Sequence, residues 1–364
     1  MLTKIVAEVF PYDRVHDTYQ EYYRQSLEVS CAGNSQEYVE SSGAYSDDLL
    51  RNLRAVRHSY RLRNLLNGKL LPTLLDKFAA LLSRSPIIGP APSVGVYRFI
   101  TDREDEIRVC IDANDFPDIS KKAAASCDIY FKSNYWADHD YPLHVLPLPN
   151  MNPLVGRNLE LLKSLRGEPK QRDLFVFFRV WGGRDEVEGI EHNMALLKAL
   201  SKVKCNSYLS AYLVAGDIPS LATRLDDLGI SWTTKAMPQQ ELWKNAAAAR
   251  MNIVRLGMHQ CSPWRMIDIL AMGGVPLLDY KPMTLWPEPL IEGKHYLNLN
   301  LSPGHEEAAG NLADKVDSWI QSDSLVSSIS RNTADYFDRY LAPKMLGKSI
   351  CQTVEDRCSS KISI

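Results

Sequence analysis

Residues Cys261–Asp279, with the sequence CSPWRMIDILAMGGVPLLD, predict a helix that stops at a pair of glycines and leads directly into a buried strand. Ser262 suits the N-cap of that helix, and Pro263 suits its first position, where a missing N–H costs nothing. Gly273–Gly274 supplies the C-terminal stop, and Val275–Leu278 is a short apolar run typical of a parallel strand. Because a helix N-terminus carries unpaired N–H groups and partial positive charge, the start of this helix is a candidate phosphate-binding site.

Two charged side chains follow one turn into the same helix. Arg265 and Asp268 share a face at i, i+3 spacing. An arginine suits a diphosphate and a carboxylate suits sugar hydroxyls, so the pair predicts binding of a nucleotide sugar. The alternative is a surface ion pair, but the rest of the helix is apolar, and charges in a buried setting require partners. Trp264 is a candidate for stacking on the base, with a core position as the alternative.

This stretch resembles the C-terminal domain of GT-B glycosyltransferases, and it is nearest to the exostosin-like version. The resemblance covers roughly residues 236–299 and depends on the order of Arg265, Asp268, Ala271, Gly273 and Pro276 ahead of a strand. Asp268 falls where many of these enzymes place the donor-binding glutamate of an E-x7-E motif. The earlier acidic position of that motif falls at Gln260, where this chain departs from the pattern. The resemblance implies an α/β chain of two Rossmann-like domains facing a central cleft.

Composition narrows the class of protein. The chain has 364 residues, 45% of them apolar and 24% charged, which is typical of a globular enzyme with two domains. A net charge of −2 gives no basic signature for nucleic acid. Seven cysteines are scattered singly, which favours reduced thiols in a cytoplasmic compartment. The first residues do not read as a signal peptide, and no run reaches the ~18 apolar residues of a membrane span. We therefore expect a soluble, cytoplasmic protein.

Alternating elements predict two α/β domains. Residues 1–152 form the first, on the acceptor side, with strands at residues 5–10, 94–100, 107–111, 129–132 and 144–148 and a mainly helical stretch at 47–84. The prolines of Pro147–Pro153 mark a linker. Residues 153–341 form the second, donor-binding domain, where strands and helices alternate as in a parallel Rossmann-like sheet. The resemblance implies that a last helix, at about 342–364, returns to the first domain.

Several further residues are candidates for the donor site, because ligands bind at the carboxyl ends of parallel strands. Arg179 and Arg184 flank a glycine turn at the end of the first strand of the second domain, and His259 and Gln260 follow a later strand. Arginines near a glycine turn can neutralise a diphosphate. The alternative interpretation is a plain glycine turn with solvated arginines and a structural histidine.

Carboxylates just past strands are candidates for the catalytic base. An inverting transferase needs a base to deprotonate the acceptor hydroxyl, and strand ends hold such bases well. Asp112 and Asp115 follow one strand of the first domain, and Asp13 and His16 follow its first strand. Aspartates are also ordinary turn residues, which is the alternative at the first two positions.

Two other motifs concern a metal and a membrane. Asp138-His139-Asp140 has the form D-x-D, which holds a metal in GT-A transferases, but three residues match readily by chance. We expect no metal, because arginines offer the positive charge instead. Arginines and leucines interleaved over residues 49–66 form a basic amphipathic segment, which would suit a peripheral contact with the inner face of a membrane. The alternative there is a solvated helix face packed on the first sheet.

The sequence as a whole predicts a metal-independent glycosyltransferase with no cofactor other than its nucleotide-sugar co-substrate. Its partners would be that donor and a glycan or glycolipid acceptor, in polysaccharide assembly such as that of a bacterial surface glycan. Two alternatives stay open. One is a GT-B-fold nucleotide-sugar epimerase or another glycan-modifying transferase, and the other is an inactive GT-B-like binding or scaffold protein.

Overall fold

A computed structural model describes residues 1–9, 14–32, 36–40, 94–180, 186–214, 218–257, 260–301 and 310–361. The chain divides into two compact units. Unit 1 comprises Met1–Arg157, Met283–Glu288 and Tyr340–Ile364, and unit 2 comprises Asn158–Pro282 and Pro289–Arg339. Both are α/β, and each contains one six-stranded sheet in which parallel pairs predominate. The α/β fold class predicted from the sequence is confirmed.

The sheet of unit 1 has the order β2-β1-β3-β4-β5-β6. Its strands are β1 (Leu2–Val9), β2 (Glu37–Glu40), β3 (Val94–Thr101), β4 (Glu106–Asp112), β5 (Ile129–Lys132) and β6 (Val145–Pro147). The outer pairs β2-β1, β4-β5 and β5-β6 are parallel, whereas β3 is antiparallel to both of its neighbours. The sheet is therefore mixed, and β4, β5 and β6 bring their carboxyl ends to a single edge.

Two long helices pack together in unit 1: α1 (Arg14–Cys31) and the last helix of the chain. Tyr22 Oη donates to the main-chain oxygen of Leu341 over 2.8 Å, just before that last helix begins. A Cβ on Gly347 would lie 2.0 Å from the main-chain oxygen of Ser26, so only glycine permits this close approach. A short helix, α2 (Lys121–Ala124), connects β4 with β5.

The sheet of unit 2 is entirely parallel and has the order β12-β11-β10-β7-β8-β9. Its strands are β7 (Arg172–Val180), β8 (Ser207–Leu213), β9 (Ser231–Thr233), β10 (Ala249–Val254), β11 (Val275–Leu278) and β12 (Leu297–Asn298). Counted from β7, this is the order 3-2-1-4-5-6 of a doubly wound Rossmann sheet. The order reverses between β7 and β10, which makes that position the switch point.

Helices accompany this sheet along the described part of unit 2. They are α4 (Leu159–Ser164), α5 (Glu186–Leu200), α6 (Ile218–Asp227), α7 (Gln239–Ala247), α8 (Trp264–Ala271), α9 (Leu312–Gln321) and α10 (Asp323–Tyr336), whereas α3 (Pro153–Arg157) and α11 (Pro343–Lys361) belong to unit 1. Buried leucines, isoleucines and valines of β7, β10 and β11 form the core against α5 and α10. This core fixes the strand ends that carry the site.

Helix α8 ends as the glycine pair predicts. Gly273 has φ 63°, in the left-handed region that favours glycine. The N–H of Gly274 donates to the oxygen of Ile269 over 2.8 Å, and the N–H of Gly273 donates to that of Leu270 over 3.1 Å. These two bonds are the Schellman motif, which satisfies the last helical carbonyls and turns the chain directly into β11.

The start of α8 differs from the prediction. Pro263 is the N-cap, in an extended conformation with φ −75° and ψ 153°, and its own side chain makes no capping hydrogen bond. The prediction that Ser262 is the N-cap and Pro263 the first helical residue is therefore wrong by one position. The extended Pro263 delays the helix by one residue, and Ser262 is instead buried before it.

The helical stretch predicted at 47–84, including the basic amphipathic segment, lies outside the described residues. None of the helices that the structure describes is long and apolar enough to cross a membrane. All seven cysteines lie in described parts of the chain and are free thiols.

Candidate functional site

The switch point of unit 2 opens where β7 and β10 separate. Their paired register runs as far as Phe175 and Asn252, after which β10 ends at Val254 while β7 continues to Val180. In doubly wound sheets, ligands bind in the crevice outside the strand ends at this position. The side chains around these two strand ends are therefore the candidate site, which we call the donor edge.

Arg265 of α8 reaches into the gap between the two strands. Its Nη1 donates to the main-chain oxygen of Phe177, two positions beyond the last paired residue of β7. The guanidinium lies 5.9 Å from the ring centroid of Phe175. Burial lowers the pKa of Arg265 to about 10, and the charge of Asp268 partly opposes that shift. A guanidinium has five N–H groups, so one bond to Phe177 fixes it without using its capacity for an anion.

Arg255 follows β10 directly and lies in the same region of the sheet. Its Nη1 donates to Asn193 Oδ1 over 2.6 Å. Burial lowers the pKa of Arg255, while Asp279 and Tyr280 act in the opposite direction. Asn193 is the eighth residue of α5, the helix that follows β7. The donor edge thus holds two half-buried cations, Arg255 and Arg265.

Asp279, the residue after β11, ties three segments together. It is fully buried, and its Oδ1 accepts the N–H groups of Leu256 and Tyr280, each over 3.1 Å. Its Oδ2 lies 3.1 Å from Nε2 of His192 on α5. One carboxylate therefore fixes the chain after β10, the chain after β11 and the first turns of α5.

Two buried polar atoms on α5, near the hydrogen bonds of Asp279, have no hydrogen-bond partner in the part of the chain that the structure describes. They are Nδ1 of His192 and Nδ2 of Asn193. Leaving a buried donor or acceptor unpaired costs about 1–3 kcal/mol, so such atoms require an explanation. A polar ligand at the adjacent strand end would supply the missing partners.

Asp268 lies on the buried side of α8 and is 4% exposed. Its Oδ2 accepts Gln239 Nε2 of α7 over 3.3 Å. The charge of Asp268 raises the pKa of Arg265, its i, i+3 neighbour, against the effect of burial. A carboxylate in this position orients α8 against α7, and its use in binding sugar hydroxyls stays a prediction.

The other predicted donor residues are distributed as follows. Arg179 is exposed at the second-last position of β7, where it pairs with Tyr212 of β8. Gln260 is exposed with φ 54°, a left-handed conformation that non-glycine residues rarely adopt, in the loop before α8. Trp264 is half-buried at the start of α8. Arg184 and His259 lie outside the described residues.

The predicted bases of unit 1 have two different environments. Asp112 is 2% exposed, and its oxygens accept Tyr130 Oη over 2.6 Å, Lys132 Nζ over 3.1 Å and the N–H of Asn114 over 2.9 Å. Lys132 is itself completely buried. Asp112 therefore has the environment of a structural ion pair, with its lone pairs already in use.

Asp115 is half-buried, three residues further along the same strand end. Its main-chain oxygen accepts Asn134 Nδ2 from the loop after β5, which fixes the backbone that carries the carboxylate. A base must reach the hydroxyl that it deprotonates, so Asp115 suits that task better than Asp112 does. Asp13 lies outside the described residues, and the side chain of His16 within α1 is not described either.

Comparison with known proteins gives structural similarity and no match in sequence. No protein-family model and no curated protein matches the chain. Among solved structures, a glycosyltransferase from Rickettsia africae is 11% identical, with a TM-score of 0.45 over 97% of this chain and 98% of that one. HepE from Anabaena, solved in complex with UDP-glucose, is 13% identical, with a TM-score of 0.39 over 63% of this chain and 64% of its own.

A third similar structure is the C-terminal domain of LpcC from Francisella tularensis, a glycosyl transferase group 1 family protein. It is 14% identical, with a TM-score of 0.34, and covers 50% of this chain and 91% of that domain. The structures that resemble the chain thus include glycosyltransferases. A TM-score below 0.5 does not establish function, so function has to be argued from the sheet topology and the side chains at its edge.

Sequence reasoning missed several residues of the donor edge. Arg255 follows the end of β10 at Val254, a strand-end position that no motif in the sequence marks. His192 and Asn193 lie in a helix without a recognisable motif. Within the described residues, no group of three or more histidine, cysteine, aspartate or glutamate side chains is arranged to hold a metal ion.

Proposed function

We propose that this chain is a glycosyltransferase that moves a sugar from a nucleotide-activated donor to a hydroxyl group of a glycan. The observation that carries the proposal is the position of Arg265, in the gap between β7 and β10 at the switch point of a doubly wound parallel sheet. That position is where such sheets bind nucleotides. A half-buried guanidinium there suits the phosphates of the donor.

The leaving group would be held by positive charge. Arg265, Arg255 and Arg179 would neutralise the departing diphosphate or monophosphate, and the first N–H groups of α8 would add their partial charge. Cationic side chains in a partly buried crevice stabilise developing negative charge more strongly than the same groups in water. In this proposal they take the role that a metal ion has in other transferases.

The remaining assignments concern the sugar, the base and the acceptor. Asp268 would bind hydroxyls of the ribose or donor sugar, Trp264 would stack on the base, and Arg184, His259, Gln260 and Ser262 would complete the donor site. Asp115 would deprotonate the acceptor hydroxyl if the reaction inverts the anomeric carbon, with Asp112, Asp13 and His16 as the other candidates. A polysaccharide at a bacterial surface, reached from the inner face of the membrane, is the proposed destination.

Calorimetric titration with UDP, GDP, CMP and dTDP tests the donor site directly. We expect one nucleotide to bind, and we expect Arg265→Lys and Arg255→Lys each to weaken it by about 10- to 100-fold, because lysine cannot reproduce bidentate contacts to phosphate. Arg331→Ala, an exposed position on α10, is the matched control and should bind like the wild type. Binding that neither lysine variant weakens would contradict the proposal.

A second measurement separates transfer from the alternatives. Incubation with the matching nucleotide sugars, with and without glycan acceptors, should give acceptor-dependent release of the nucleotide. Conversion of the donor sugar without an acceptor would indicate an epimerase instead. Absence of any nucleotide binding would indicate a binding or scaffold protein.

A further inference from the structure

A group of aromatic side chains lies in unit 1, on the loop that follows β5. Tyr135, Trp136, His139 and Tyr141 form what we call the aromatic platform. The ring centroids of Tyr135 and Tyr141 are 4.5 Å apart, those of His139 and Tyr141 are 5.4 Å apart, and those of Trp136 and His139 are 5.5 Å apart. All four side chains are only half-buried, so each leaves part of its ring at the surface.

Hydrogen bonds to the side chain of Asn134 fix the position of the platform. Trp136 Nε1 donates to Asn134 Oδ1 over 3.1 Å, and Thr284 Oγ1 donates to the same oxygen over 2.6 Å. The main chains of Trp136 and Thr284 form an antiparallel bridge. Tyr141 Oη donates to the main-chain oxygen of Pro117 over 2.7 Å, and burial raises the pKa of Tyr141 to about 12, so this hydroxyl keeps its proton. A surface fixed in advance binds a ligand at a lower entropic cost.

The surroundings of the platform combine apolar and acidic groups. Leu285, whose N–H donates to the oxygen of Tyr135 over 2.8 Å, is 39% exposed. Asp138 and Asp140 are exposed on the same loop, and Oδ1 of Asp118 lies 4.0 Å from Nε2 of His139. The partner of such a surface needs an apolar face, a rim of hydrogen-bond donors and no negative charge.

A neutral sugar ring has these three properties. One face of a pyranose presents C–H groups that carry slight positive charge, and the face of an aromatic ring is slightly negative. The hydroxyls at the edge of the sugar donate to carboxylates. An anionic lipid surface or an acidic polymer would instead be repelled by the carboxylates of Asp118, Asp138 and Asp140.

We propose that the aromatic platform binds a neutral sugar ring of the acceptor glycan, stacked on Trp136 with His139 at its edge, an assignment that rests on the proposed function. Asn134 connects the platform to the base candidate, because its Nδ2 donates to the main-chain oxygen of Asp115 while its Oδ1 accepts Trp136. The same amide thus fixes both the ring on which the sugar stacks and the backbone that carries the carboxylate. Neutral acceptors are selected over acidic ones by the charge of the platform's rim.

A glycan array printed with neutral and acidic oligosaccharides tests this surface. The wild-type protein is expected to bind neutral glycans, and Trp136→Leu and His139→Ala are each expected to reduce that binding at least tenfold. Leucine retains apolar volume at position 136, so we expect the Trp136→Leu variant to stay folded. Its melting temperature checks this. Trp232→Ala is the matched control, since Trp232 is 38% exposed in unit 2 and is expected to leave glycan binding unchanged.

Nucleotide affinity, measured on the same variants, separates this inference from the proposed function. Unchanged nucleotide binding together with lost glycan binding in Trp136→Leu and His139→Ala supports the assignment of the platform as a sugar-binding surface. Nucleotide binding without binding of any glycan by the wild type overturns the platform alone, as does glycan binding that Trp136→Leu and His139→Ala leave intact. A preference for acidic glycans overturns the selection by charge. Loss of both activities in the wild type overturns the proposed function with it.

Discussion

The guanidinium of Arg265 is bound to the main-chain oxygen of Phe177, two residues beyond the point where β7 ceases to pair with β10. The side chain thereby takes the place that a neighbouring strand would otherwise occupy. The same residue is thus a part of the fold and the main cation of the proposed donor edge.

Arg265→Ala is expected to lower the free energy of unfolding by about 1–3 kcal/mol, because the oxygen of Phe177 loses its donor in a partly buried place. Urea denaturation at neutral pH measures the change. Arg331→Ala on the exposed face of α10 should change stability by less than about 0.5 kcal/mol. Equal stability of the two variants would show that the contact with Phe177 does not support the fold.

Asp112→Asn is expected to destabilise unit 1 by about 3–5 kcal/mol, since the completely buried ammonium of Lys132 would lose its charged partner. Adding Lys132→Met in the same chain should restore part of that loss, because no unpaired charge then remains buried. Thermal and chemical denaturation of the single and double variants measure both effects. A double variant no more stable than Asp112→Asn would contradict this account.

Asp115→Asn is expected to leave stability unchanged and to reduce the rate of sugar transfer by about 10²- to 10⁴-fold, which is the usual contribution of a general base. The experiment compares kcat and the melting temperature of this variant with those of the wild type. A fully active Asp115→Asn variant would move the role to Asp13 or His16. The prediction depends on the proposed function and on an inverting reaction.

Gly273→Ala is expected to cost about 1–2 kcal/mol, since a left-handed φ of 63° brings Cβ against the following carbonyl. The added methyl would also lie 3.2 Å from Cβ of Ala334 on α10. Gly167→Ala is the matched control, because a Cβ there meets no atom within 4 Å and needs no left-handed backbone. A similar loss in both variants would refute the role of the Schellman motif.

His295 is expected to make the protein less stable in mild acid. Its Nδ1 accepts the N–H of Ile291 over 3.0 Å, and burial, followed by the charge of Lys294, lowers its pKa below the ordinary value. The folded state therefore binds this proton less readily than the unfolded chain does. Stability is complete above the unfolded pKa of about 6.5 and decreases as the pH falls through it.

His295→Gln tests the sign of that dependence, because glutamine does not titrate. The free energy of unfolding of the variant should fall less than that of the wild type between about pH 7.5 and about pH 5. Denaturant titrations at the two pH values give the difference. An equal decrease in the free energy of unfolding of both proteins would show that His295 does not cause the pH dependence.

The elements that carry local signals were predictable from the sequence. Gly273–Gly274 marks the end of α8, and the apolar run of β11 follows it at once. The helix α1 and the strand β2 were not predicted. Several positions on the buried side of α1 are polar, including Gln20, Ser26 and Ser30, and they are satisfied by hydrogen bonds to carbonyl oxygens. A helix of this composition has no clear apolar periodicity.

The contacts that make the candidate site depend on sheet order and register, which local sequence does not encode. The bond between Arg265 and Phe177 joins residues 88 positions apart. Arg265 and Asp268 were predicted as a pair facing a ligand, but the arginine's partner on β7 appears only once β7 and β10 are adjacent. Likewise, the pairing of Asp112 with Lys132 requires β4 and β5 to lie parallel in one register.

The carboxylate of Asp279 has a consequence for how this chain can vary. Two of its three contacts are with main-chain N–H groups, at Leu256 and Tyr280, which every residue except proline supplies. The third is with the imidazole of His192. The contacts of Asp279 at 256 and 280 therefore do not depend on which side chains stand at those two positions. Positions 192 and 279 are expected to change only together.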